Sequence, residues 1–151
     1  MINIHDKEKV FEIINNFQKD AKPLFGKLTS QHVLEHLMMS LHISTGKRVI
    51  EFKGNEEMAQ KIKANLIYTD AEVPEGVKNP LMTDELPELK FENIEIAKQH
   101  LKSELEYFFE YKKNNPNAKS VHMRMNELTM DEWSVMHGKH FTHHFKQYGL
   151  I

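Results

Sequence analysis

Cysteine is absent from this 151-residue chain, which excludes a disulfide framework, a thiolate zinc site and a cysteine nucleophile, and fits a reducing compartment. Any metal must therefore sit on nitrogen and oxygen ligands. An excess of one charge is missing too: 22 acidic against 20 basic residues leave a formal net charge of -2 and a pI of about 6.6. That balance offers no electrostatic footprint for nucleic acid or an anionic membrane. No run approaches the roughly 18 apolar residues of a membrane span, and Met1–Lys7 lacks the basic start and apolar core of a signal peptide. The expectation is a soluble, cytoplasmic protein with neither nucleic acid nor membrane as partner. Strand alternation is also lacking. Arg48–Phe52 is a short extended candidate with nothing to pair with.

What is present is enough apolar content, 40% of residues, for one domain over 1–151 that buries roughly 68–70% of its unfolded surface. Helical spacing of Val10, Phe11, Ile14 and Phe17 predicts a helix between Asp6 and Asp20, with Asp6 as cap. A second helix starts near Thr29 or Ser30 and ends at Gly46. Its apolar residues Val33, Leu34, Leu37, Met38, Met39, Leu41 and Ile43 lie nearly all round, so it is expected to be central. A shorter helix is expected from Asn55 to about Tyr68, with Met58, Ile62 and Leu66 on one stripe. Thr69–Leu89 holds Pro74, Pro80 and Pro87 among glycine, asparagine and acids, and predicts a long loop bordering a binding pocket. The stripe Ile94, Ala97, Leu101, Leu105, Phe108 marks a helix from Asn93 to about Asn114. After a short connector, Thr129-Met130-Asp131-Glu132 fits a capping box, opening a last helix that ends near Tyr148-Gly149. The class read from this pattern is all-α, a helical bundle with an additional short helix and a loop at about 69–89. The methionines at 38, 39, 130 and 136 are expected to fill gaps in its core.

Histidine is the surplus. The chain has ten, four of them between His137 and His144. His140 and His144, one turn apart, project from one helix face and suit a shared ion. About 0.7 pairs at this spacing arise by chance from ten histidines in 151 positions, so context must decide. Trp133, His137, His140, Phe141, His144 and Tyr148 share one side of the helix, the side the aromatics would bury, where a neutral, metal-bound imidazole is far less costly than a charged one. His143 points about 100° away, toward a flank or solvent. A hydrolytic site commonly has three protein ligands and an open position. His36, set in the apolar run Val33–Met39, is the favoured third ligand, and His32 is its competitor. Glu104, on the margin of its stripe, is a candidate to orient an imidazole. His5, His42, His100 and His122 have no partner at a useful spacing and are expected at the surface.

The last helix carries a recognisable run. Lys139-His140-Phe141-Thr142-His143-His144-Phe145-Lys146-Gln147-Tyr148-Gly149, following Leu128-Thr129-Met130-Asp131-Glu132-Trp133, resembles the terminal K-H-x-x-H-H-x-x-Q-[FY]-G signature of the DinB-like (DinB/YfiT-like) superfamily. Pro23-Leu24-Phe25-Gly26-Lys27-Leu28-Thr29 and Val33-Leu34-Glu35-His36-Leu37 are similar to its first characteristic stretch. The resemblance covers residues 23 to 149. It implies a four-helix bundle, and a divalent metal ion held by one histidine of the second helix and two of the last, which map onto His36, His140 and His144. In one respect the chain departs. Where the related subgroup has His-Pro-x-Phe-Gly before the last helix, this sequence reads His122-Met123-Arg124-Met125-Asn126.

Three imidazoles leave an ion its charge, so the expected function is metal-dependent hydrolysis of a small-molecule substrate by activated water, with zinc or nickel as the metal. An alternative that relatives suggest is transfer or isomerisation with a low-molecular-weight thiol, which would have to supply the sulfur. A third reading is a non-catalytic metal-binding or interaction bundle, signalled by a closed coordination sphere with His32 or His137 as fourth ligand. His137 is also a candidate general base. Association as a homodimer is common in the superfamily, and apolar surface beside the short third helix would serve it.

Overall fold

A computed structural model of the chain describes residues 1–77 and 83–151. The described residues form five helices and one two-stranded sheet: α1 Lys7–Asn15, α2 Ser30–Ser44, α3 Glu56–Tyr68, α4 Ile94–Asn114, β1 Lys119–His122, β2 Asn126–Thr129 and α5 Met130–Gln147. Among them no helix is long and apolar enough to cross a membrane.

Each helix begins on a side chain that accepts a backbone N–H of its first turn. Asp6, Thr29, Asn55, Asn93 and Thr129 do so for α1 to α5. At Thr129 the reciprocal bond from its own N–H to Glu132 is made as well, completing the capping box. α5 ends as firmly. Gly149 takes a φ of 62°, its N–H reaches the Lys146 carbonyl, and the Leu150 N–H reaches that of Phe145. This double bond pattern satisfies the last carbonyls and needs a residue tolerant of left-handed backbone.

α2 lies at the centre, packed against α4, α5 and β1. Val33, Leu34, Leu37 and Leu41 of α2 and Leu101, Leu105 and Phe108 of α4 are wholly buried, as are Phe141 and Phe145 of α5. Each such side chain contributes about 1.5–3 kcal/mol of burial free energy. The expected stripe of α4 is therefore its core face. α1 is shorter than the expected Asp6–Asp20: it stops at Asn15, where two successive asparagines favour local turns over helix. Phe17 remains in the core beyond the helix end, and the turn is tied down by Ser30 Oγ donating to the Gln18 carbonyl at 2.6 Å. The face of α3 also differs from expectation. Of the expected stripe, Ile62 and Leu66 face inward, joined by Ala59 and Ile67, while Met58 is 55% exposed. An ion pair from Lys63 to Glu132, at 2.7 Å, ties α3 to the start of α5.

The all-α expectation needs one correction: the connector before α5 is a β-hairpin. Lys119 pairs with Thr129 and His122 with Asn126, antiparallel. The pair is not isolated, because Met125 and Leu128 are wholly buried and Ser120 Oγ bonds the Ser44 carbonyl at the end of α2. Residues 48–52 form no strand. Of the expected loop at 69–89, residues 69–77 and 83–89 carry no helix or strand, and 78–82 lie outside the described residues.

Candidate metal centre

The packing of α5 on α2 brings His36, His140 and His144 together. Their nearest ring nitrogens lie within 4.8 Å of one another. His140 Nε2 is 2.9 Å from His36 Nε2 and 3.2 Å from His144 Nε2, and the His36 ring stands nearly perpendicular to both partners, at 88° and 75°. Three corners of a tetrahedron with metal–nitrogen bonds of about 2.0–2.1 Å lie roughly 3.3 Å apart. The two separations from His140 Nε2 are therefore close to those that one shared ion would impose, and the third pair lies within 4.8 Å.

The hydrogen bonds around His144 fix which nitrogen faces the cluster. Gln147 Nε2 donates to the Phe25 carbonyl at 2.8 Å, which turns Gln147 Oε1 toward His144 Nδ1 at 2.7 Å. An amide oxygen only accepts, so the His144 proton sits on Nδ1 and the Nε2 lone pair points into the cluster. His140 Nδ1 is buried without a partner among the described residues. Burial is also the main reason that all three rings resist protonation. Their pKa values are lowered, to about 4 for His36 and about 3 for His144, and well below the ordinary histidine value for His140. A neighbouring imidazole adds to the effect in each case, His143 for His36, and His36 for the other two. At neutral pH the cluster is thus three uncharged nitrogen donors, the form that binds a divalent ion.

The competitors are occupied elsewhere. His32 is held at both nitrogens, Nδ1 by Thr29 Oγ1 at 2.6 Å and Nε2 by the Pro87 carbonyl at 2.8 Å. His137 is wholly buried, stacked on Trp133 and edge-on to Phe108, with Nε2 2.9 Å from Ser44 Oγ. Its pKa falls to about 3 through burial. Neither joins the cluster as a fourth ligand, and His137 has no route to a substrate as a base. His143 is half-buried and donates Nδ1–H to the Val73 carbonyl at 3.3 Å, anchoring the loop rather than facing solvent. Glu104 binds Lys47 at 2.9 Å and lies 3.4 Å from His42, apart from the three-histidine cluster. His5 and His100 are exposed as expected, and His42 is partly so. His122 corrects the sequence reading. It packs against Trp133 at 5.4 Å, and its Nδ1 accepts the backbone N–H groups of Arg124 and Met125.

The cluster opens onto a cavity of about 340 Å³. Met39, Ile43, Ile62, Leu66 and Trp133 form much of its apolar wall. Val73, Pro74, Gly76, Val77, Thr83 and Asp84 contribute from the loop, so its described part does border the pocket. The hairpin supplies His122 to Met125, a contribution that single-sequence patterning missed. Gln147 was also missed, although its place three residues after His144 on one helix was a usable signal. No family model matches this chain, and neither do curated proteins or solved structures.

Proposed function

We propose that His36, His140 and His144 hold one divalent metal ion, zinc or nickel, and that the protein is a hydrolase acting on a small molecule admitted to the 340 Å³ cavity. The observation that carries this reading is the convergence of three neutral imidazole nitrogens on an open cavity, with His32 and His137 both engaged elsewhere. A purely structural zinc site would need a fourth protein ligand, and catalytic sites characteristically have three. An ion at this position supplies Lewis acidity and, by lowering the pKa of a water molecule toward about 7, a nucleophile at neutral pH.

The chain's own residues do the rest. Gln147 keeps His144 in the tautomer that presents Nε2. The lowered pKa of each imidazole keeps protons from competing for the donor atoms down to mildly acidic pH. The apolar wall strips water from a bound substrate and strengthens the electrostatics of the site. The same reading takes the chain as DinB-like, with α1, α2, α4 and α5 as the bundle helices. It is supported by the coincidence of the clustered histidines with those the resemblance implies.

The test is turnover by untagged protein loaded with zinc or nickel against a panel of p-nitrophenyl esters and anilides, beside His144→Ala. The proposal expects hydrolysis that is removed by a chelator, restored by metal and lost in the variant, with a pH profile inflecting at about 7. Turnover no faster than that of His144→Ala, or turnover only with an added low-molecular-weight thiol, would overturn the hydrolase reading.

A further inference from the structure

The turn of the β-hairpin, His122 to Asn126, lies on the wall of the same cavity, and its chemistry is not used by the three-histidine cluster. Two features of this cavity-lining turn suit a ligand. The backbone N–H groups of Arg124 and Met125 both donate to His122 Nδ1, at 3.1 and 3.3 Å. The His122 proton therefore sits on Nε2, which has no hydrogen-bond partner among the described residues. Burial, with help from the Arg124 charge, lowers the His122 pKa to about 4, so the ring is a neutral N–H donor at pH 7.

Arg124, one of the chain's two arginines, also lines the cavity and makes no ion pair among the described residues. Residues 78–82 contain no acid that would serve. The acids around the hairpin are committed elsewhere. Glu127 pairs with Lys119, Glu132 with Lys63, and Glu56 accepts from Asn126 and Gln60. A guanidinium without a carboxylate beside a low-dielectric wall is a site for a planar anion. Among the described residues, the charged ones lining the cavity are Lys27, Asp84 and Arg124, a net charge of +1 with the histidines neutral. That balance matches a monoanion better than a phosphate dianion.

We propose that the hairpin turn is an anion subsite, in which Arg124 and the Nε2–H of His122 take the carboxylate of a small, otherwise apolar acid. The far end of that molecule extends toward His36, His140 and His144. This last element rests on the metal reading; the subsite itself does not.

Trp133 is the chain's single tryptophan, lines the cavity and lies 5.4 Å from His122, so its fluorescence and its one indole N–H resonance report occupancy directly. Benzoate is the probe, with benzamide as the uncharged match and phenyl phosphate as the dianion. Saturable benzoate binding to the full chain is expected, weakened at least about tenfold in Arg124→Gln, as befits loss of a charge-assisted hydrogen bond. His122→Asn, which keeps an oxygen to accept the turn's N–H groups, is expected to weaken benzoate as well while melting at the wild-type temperature. Benzamide is expected to bind weakly and equally to wild type and Arg124→Gln. His144→Ala is expected to retain benzoate binding even where metal binding is lost, which separates failure of this proposal from failure of the metal reading. Equal benzoate affinity in wild type and Arg124→Gln, no benzoate binding at all, a preference for phenyl phosphate, or loss of benzoate binding in His144→Ala would overturn it.

Discussion

Gln147 Oε1 accepts the Nδ1 proton of His144 at 2.7 Å, while its amide nitrogen is held by the Phe25 carbonyl. One side chain thus links the connector between α1 and α2 to the tautomer of a candidate metal ligand. Groups that orient a ligating imidazole typically contribute 10–100-fold to metal affinity. Gln147→Met, which keeps the bulk and removes the acceptor, is therefore expected to weaken zinc binding by about that factor. Competition against a chromophoric chelator measures it. An unchanged affinity would mean that Gln147 merely packs.

Gly26 gives an independent handle on the same contact. Its φ is +77°, and a Cβ there would lie 2.6 Å from Gln147 Nε2. Gly26→Ala carries left-handed strain of about 1–2 kcal/mol and must also displace the glutamine. Gly46, with φ +76° and open space around it, is the control. Urea titration is expected to show both alanine variants destabilised. Zinc titration is expected to show weakened binding in Gly26→Ala alone.

The buried histidines set an acid limit on the fold. His137 and His122 have pKa values lowered to about 3 and about 4 in the folded chain, against about 6.5 when unfolded. Between those values the unfolded chain binds protons that the folded chain refuses. Stability is therefore full above about pH 6.5 and falls as the pH drops toward 4, by up to about 1.4 kcal/mol per pH unit for each such residue. Urea midpoints of metal-free protein between pH 7 and 4.5 are expected to decline steadily. A flat profile would place these rings in contact with water.

α4 and the capping box at Thr129 were legible because their signals are local: an apolar stripe every three to four residues, and two side chains three residues apart. The hairpin was not, because four-residue strands are too short to alternate and Asn126 takes the left-handed turn position, φ 58°, without a glycine to announce it. α1 was overextended because Phe17 is a core residue, and burial reads the same on a turn as on a helix. At the cluster, the His140/His144 spacing was visible, but the choice of His36 over His32 depends on contacts distant in sequence. His36 meets a ring 104 residues away, and His32 is engaged by the Pro87 carbonyl, 55 residues away. His122 reads as a surface residue in the sequence because its partners, two backbone N–H groups and Trp133, leave no side-chain spacing to read.

The central claim is tested most directly by counting metal in untagged protein after exposure to zinc or nickel and removal of excess. Elemental analysis or native mass spectrometry of wild type would be set beside single alanine variants of His36, His140 and His144, with His32→Ala and His143→Ala as controls. One ion per chain in wild type and both controls, and none in the three variants, is the expected result. Metal-free wild type, or loss of the ion in His32→Ala as well, would contradict a site built on His36, His140 and His144.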